Sequence, residues 1–145
     1  MRTALDTNIL SALWSQEPLA ASIAQRLGEA RLEGALLLSP VAYAELLAYP
    51  KATESFVNEF IRETGIVIDF VLQPSVWIEC GRRFAGYADR RRKSASTSPK
   101  RLLADFLIGS HALIQADRLM TLDPTRYQQD FPELRLDPIS MRLNA

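Results

Sequence analysis

Four acidic residues stand where a carboxylate is costly to keep. Asp6 follows the short apolar run Thr3 to Leu5 and precedes Thr7-Asn8, after which apolar residues resume at helical intervals as Ile9, Leu10, Leu13 and Trp14. That pattern hands a buried strand over to a helix at Asp6, and the carboxyl ends of parallel strands are where open α/β sheets bind ligands. Asp, Thr and Asn are also ordinary helix N-caps, so capping is the competing reading of Asp6. Glu45 is the single charged residue of the helical stretch Val41 to Tyr49. At about 100° per residue, apolar neighbours surround it, which predicts a carboxylate without a fully solvated face; a place at the domain rim or an Arg partner is the alternative. Asp105 lies near the start of the stretch Leu102 to Ala116 and shares its face with Ile108, Gly109, Ala112 and Ala116, of which the small Gly109, Ala112 and Ala116 let another element approach closely. Asp123 follows the apolar run Leu119 to Leu122.

Two of these acids end strands and two sit on helices that start from the same edge of a parallel sheet, so all four can converge on one rim. Two carboxylates about 5 Å apart repel by roughly 3 kcal/mol at an effective dielectric near 20, so convergence calls for a cation. Mg²⁺ or Mn²⁺ prefers such oxygen donors and keeps several waters. The chemistry of such a site is phosphodiester hydrolysis, in which the ion lowers the pKa of an attacking water and neutralises charge developing on phosphorus. Zinc sites of the Cys₂His₂ or Cys₄ kind are excluded by a single cysteine, Cys80, and a single histidine, His111. His111 and Gln115 share a narrow polar stripe, which reads as a surface histidine rather than a ligand or base.

The elements that must position these acids alternate. Strands are expected at Thr3 to Leu5, Ala35 to Leu38, Ile66 to Leu72, Leu119 to Leu122 and Leu134 to Leu136, with helices between them: one after Asp6 carrying Ile9, Leu10, Leu13 and Trp14, and others at about 19–32, 41–49, 53–63, 75–91 and 102–116. Gly34 and Gly65 close two of the helices, and Ser39-Pro40 opens a third as cap and first residue. Short links between alternating strands and helices imply right-handed parallel crossovers, hence a central parallel sheet of four to five strands covered on both faces, a three-layer α/β/α sandwich. With 145 residues, 48% of them hydrophobic, no repeats and no linker-like segment, residues 1–145 are expected to form one domain. The absence of a signal-like N-terminus and of any long uninterrupted apolar segment leads to the expectation of a soluble cytoplasmic protein without membrane association.

Seventeen basic residues balance seventeen acidic ones, so any attraction for a polyanion must be local. Eight of the basic residues lie between Arg82 and Arg101, against one acid, Asp89. Such a run is ordinarily a solvated face, but here it is also the candidate for phosphate contact, through Arg90, Arg91, Arg92, Lys93, Lys100 and Arg101. Residues Ser94 to Pro99 have the composition of a mobile loop.

Taken together, the segments A-L-D-T-N-I-L at 4–10, V-A-Y-A-E-L at 41–46, A-D-F-L-I-G-S-H-A at 104–112, L-M-T-L-D at 119–123 and Y-Q-Q-D-F-P-E-L-R-L at 127–136 resemble the PIN-domain ribonucleases, and within them the VapC-type toxins of prokaryotic toxin–antitoxin pairs. The likeness covers essentially the whole chain. It implies that Asp6, Glu45, Asp105 and Asp123 form the family's acidic metal-binding and catalytic quartet, with Thr7, Asn8 and Thr121 as supporting polar residues. It further implies an RNA substrate, Mg²⁺ or Mn²⁺, a small VapB-type antitoxin as partner, and a homodimer. The sequence departs from the family at Leu122, where Arg or Asn is often found. The competing reading within the fold is a catalytically inactive PIN-like module that only holds RNA or protein. Other carboxylate-edge enzymes fit less well: Asn8 occupies the place where a haloacid-dehalogenase-like phosphatase needs its second Asp, and the acidic pair of a receiver domain is missing.

Overall fold

The computed structural model describes residues 1–94 and 100–139. Five strands, β1 (Thr3–Leu5), β2 (Leu36–Leu38), β3 (Val67–Ile68), β4 (Arg118–Thr121) and β5 (Leu136–Pro138), form one sheet in the order β3-β2-β1-β4-β5, with every pairing parallel. Seven helices are described: α1 (Thr7–Trp14), α2 (Ala20–Glu33), α3 (Pro40–Leu47), α4 (Glu54–Thr64), α5 (Pro74–Lys93), α6 (Leu103–Gln115) and α7 (Thr125–Gln128). Successive strand residues point to opposite faces, and every residue of β1, β2 and β4 is buried, so both faces of the central sheet are covered. The expected α/β sandwich is therefore the observed one.

Local chemistry explains several boundaries. Ser39 accepts a hydrogen bond from the Ala42 amide (3.2 Å), and Pro40 begins α3, as the sequence predicts. Gly65 ends α4 in the left-handed conformation at φ 72°, where a side chain would be strained. Gly34 is a different case: its backbone is extended, and it is needed because a Cβ would collide with the Met1 backbone.

Two strands differ from expectation. β3 keeps only Val67–Ile68 of the apolar run Ile66 to Leu72, because Phe70 and Val71 project into solvent and the Phe70 amide turns back onto the Ile68 carbonyl. β5 begins at Leu136 rather than Leu134, which is buried beneath the sheet edge in a turn closed by its bond to the Phe131 carbonyl. The loop expected at 94–99 lies, beyond Ser94, outside the described residues.

β1 connects through α1 and α2 to β2 on one side, whereas β4 returns to pair with β1 on the other. The strand order reverses between β1 and β4. That point is where a parallel α/β sheet opens a crevice beyond its carboxyl edge.

Candidate active site

The switch point places the ends of β1 and β4 side by side. Leu5 is in register with Met120, and the Asp6 amide bonds to the Met120 carbonyl (3.0 Å), so Asp6 and Thr121 are neighbours. Asp6 occupies the N-cap position of α1, yet its side chain makes no capping hydrogen bond. It accepts instead from the Thr121 hydroxyl (2.8 Å) and the Tyr127 phenol (2.9 Å), both on Oδ2. The capping reading of Asp6 is thereby removed.

Asp6 is 2% exposed. Burial raises its pKa above the ordinary 3.8, against the lowering effects of its two hydroxyl partners and the Arg126 charge. Burial and the adjoining Asp6 carboxylate also push the Tyr127 phenol up, which keeps it a donor at all physiological pH. A buried carboxylate in this condition favours a cation nearby.

The cation present is Arg126, on the single turn α7. Its Nη1 lies 3.3 Å from Asp105 Oδ1 and its Nε 3.3 Å from Asp123 Oδ2. Burial works against its charge, but Asp105, Asp123 and Asp6 together outweigh that and raise its pKa. Asp105 reaches this point from the first turn of α6, where its other oxygen accepts the Leu102 amide (3.3 Å). Asp123 is held by two neighbours: its amide donates to Thr121 Oγ1 (3.0 Å), and its Oδ1 accepts from Thr125 (2.9 Å). Asn8 accepts the Leu122 amide (3.3 Å), fixing the β4 exit against α1.

The structure thus gathers Asp6, Asp105 and Asp123 around Arg126, with Thr121 and Asn8 as the supports the sequence suggests. Glu45 joins from further out, through Thr7, whose hydroxyl donates to Glu45 Oε1 (2.8 Å). The expectation that Glu45 lacks a solvated face is corrected: it is exposed, because the buried face of the eight-residue α3 is only Ala42 and Leu46. His111 is a second correction. It is 1% exposed and its Nε2 is bonded to Asp69 Oδ2 (2.8 Å), tying α6 to the segment after β3. The polar stripe of α6 faces another element, not water.

Two functional neighbours were missed in the sequence, Arg126 and Tyr127. The signal was there: Asp123, Arg126, Tyr127 and Asp130 are spaced as one helical face after β4. Asp130, 7% exposed, pairs with Arg90 and with Arg101 Nη1 (2.9 Å), and Arg101 also donates to the Arg126 carbonyl. These two members of the basic segment are therefore bound to the chain itself. Arg92 and Lys93 pair with Asp89 on the surface at 3.8 and 3.0 Å, and Lys100 is exposed.

As donors for a hard divalent ion, these groups fit in kind: every one is an oxygen, and the rim carries more acids than Arg126 can neutralise. In placement, Arg126 stands between Asp105 and Asp123. Among the described residues, no three His, Cys, Asp or Glu side chains are grouped as a shared coordination sphere requires.

The PIN domain family model matches residues 3–132, and the chain belongs to that family. Two solved structures share its fold. One is VapBC2 from Rickettsia felis bound to a DNA fragment from their promoter, with a TM-score of 0.70 and 19% identity over 95% of this chain and 98% of that one. The other is VapBC-1 from nontypeable Haemophilus influenzae, with a TM-score of 0.64 and 21% identity over the same 95% and 98%. No curated protein matches the chain in sequence. No helix among the described residues is long and apolar enough to cross a membrane.

Proposed function

We propose that this PIN domain is an endoribonuclease toxin of the VapC type, dependent on Mg²⁺ or Mn²⁺, that hydrolyses RNA phosphodiester bonds at the rim of Asp6, Asp105 and Asp123, with residues 1–145 acting as one domain. The observation that carries this is Asp6: a buried carboxylate with a raised pKa, at the sheet's switch point, without a side-chain capping bond and aligned with two further acids. Asp6, Asp105, Asp123 and Glu45 would hold the ion, which supplies charge neutralisation at phosphorus and a water of lowered pKa. Thr121 and Tyr127 fix the Asp6 rotamer, and Thr7 orients Glu45. Arg126, with its side chain 40% exposed, has room to turn from the acids toward an RNA phosphate.

A VapB-type antitoxin is the expected partner, because both structural relatives are VapBC proteins. A homodimer accords with the exposed apolar surface of Phe70, Val71, Trp77 and Ile78 around β3 and the start of α5. The second reading, a PIN-like module that holds RNA without cutting it, draws support from Arg126 bridging the acids.

Incubation of end-labelled RNA with the purified chain in Mg²⁺, Mn²⁺ or chelator separates the two. Cleavage that needs metal and disappears in Asp6→Asn and Asp105→Asn is the expected outcome. RNA that stays intact under all three conditions yet shifts in mobility with the wild-type chain would favour the binding module instead.

A further inference from the structure

We propose that a cavity on the α5–α6 side of the acid rim is a binding site for one nucleotide of a single-stranded RNA, its base stacked on Phe84 and Tyr87 and its phosphates held by Arg92 and Lys100. This deepens the ribonuclease reading and rests on it. The cavity measures about 290 Å³ and is further lined by Arg91 and Arg101. That is the lower end of small-ligand sites, enough for one nucleotide and too little for a duplex.

Its lining has the two components that single-strand sites combine, aromatic rings and cations, and among the described residues includes no acid. The rings are preset. Phe84 and Tyr87 lie 6.2 Å apart at 35°, each 5.3 Å from Phe106 beneath them. The Tyr87 hydroxyl accepts the Arg101 amide (2.7 Å), which fixes the second ring against the start of α6. Stacking on rings already held by their neighbours costs little ordering.

The cations are available to a polyanion. Arg92 is 72% exposed, and its 3.8 Å pair with Asp89 is a long surface contact that a phosphate can replace. Arg101 lines the cavity and also bonds the carbonyl of Arg126, whose guanidinium touches Asp105 and Asp123. The cavity and the acid rim therefore share a wall, and a strand seated in one continues onto the other.

The test uses the full chain in chelator, titrated with short single-stranded oligoribonucleotides that each lack one base at a successive position. Removal of one particular base should weaken binding about tenfold while the others matter little. That penalty should vanish in Tyr87→Leu and Phe84→Leu, whereas Arg92→Glu, on an exposed side chain that folding does not need, should weaken all oligonucleotides alike. Free adenosine monophosphate should compete only weakly.

Uniform losses along the oligonucleotide, a penalty unchanged in both ring variants, or adenosine monophosphate binding as tightly as RNA would each overturn the proposal. Wild-type cleavage without a position-specific penalty removes the cavity site and leaves the ribonuclease standing. A position-specific penalty without metal-dependent cleavage does the reverse, and no RNA binding at all removes both.

Discussion

Replacing Asp6 with Asn should abolish RNA cleavage and make the protein more stable in chelator. Holding a buried carboxylate ionised costs several kcal/mol before its partners are counted. Against this stand the hydrogen bonds from Thr121 and Tyr127, which Asn retains through its amide oxygen in weaker neutral form, a loss of about 1 kcal/mol in total. The attraction of Arg126 is also lost, but that side chain is 40% exposed and keeps Asp105 and Asp123. The net gain is about 1–2 kcal/mol, or about 3–6 °C in melting temperature for a chain of this size. The sign follows from linkage. Because the folded-state pKa of Asp6 is raised, its contribution to wild-type stability is fully present below 3.8 and is lost as pH rises through the raised value. The advantage of Asp6→Asn should therefore be absent in acid and open up above pH 3.8. Thermal melting across pH in chelator measures it, and added Mg²⁺ should shrink the difference by stabilising the wild type through mass action. A variant that melts below the wild type at neutral pH would show that Asp6 is retained for folding and would refute the reasoning.

Other expectations rest on single contacts. Arg126→Ala removes the cation shared by Asp105 and Asp123; both pairs are partly exposed, so stability should fall by only about 1 kcal/mol, while calorimetry should show tighter Mn²⁺ binding than in the wild type. Asp130→Asn leaves the half-exposed Arg90 and the partly buried Arg101 facing a neutral group and should cost about 2 kcal/mol in urea unfolding. Gly109→Ala places a Cβ 2.6 Å from the Phe131 ring, an overpacking of about 1–3 kcal/mol that a second change, Phe131→Leu, should largely recover in the same assay.

The fold was legible wherever a short apolar run was buried on both faces, as in β1, β2 and β4. It was less legible at the sheet edges, where Ile66 to Leu72 has strand composition throughout but follows its partner strand no further than the bond from the Asp69 amide to the Leu38 carbonyl. The close approach at Gly109 could be read from the small face of α6, though not that Phe131 fills it. Within the site, the three acids around Arg126 were legible from their positions at strand ends and helix starts. Glu45 was misjudged because a helix that is apolar all round gives no clue which side the core takes. His111 was misjudged for a related reason: a polar stripe shows that partners are polar, not that they are water, and Asp69 lies 42 residues away in sequence.

The basic segment shows why residue counts mislead about polyanion binding. Arg83 pairs with Glu79 and Glu133 and lies over the Phe131 ring, and Arg90 and Arg101 are spent on the buried carboxylate of Asp130. These contacts join α5 to the segment after β4 and, through Arg101 and the Arg126 carbonyl, hold the turn that carries Arg126 and Tyr127 against the acids. Removing charge from the whole segment would therefore disturb the acid rim as well as any RNA contact. Arg92, Lys93 and Lys100 are the cleaner probes, since the first two are 72% and 76% exposed and, among the described residues, pair with the exposed Asp89, and Lys100 is exposed as well. RNA binding should show a salt dependence corresponding to about three or four phosphates, not the six that Arg90 to Lys93 with Lys100 and Arg101 would suggest. Changing Arg92, Lys93 and Lys100 together to Gln should remove most of that slope and leave the urea midpoint almost unmoved, because surface pairs of this kind contribute little to stability. An unchanged slope in that triple variant would exclude these three side chains from the RNA path.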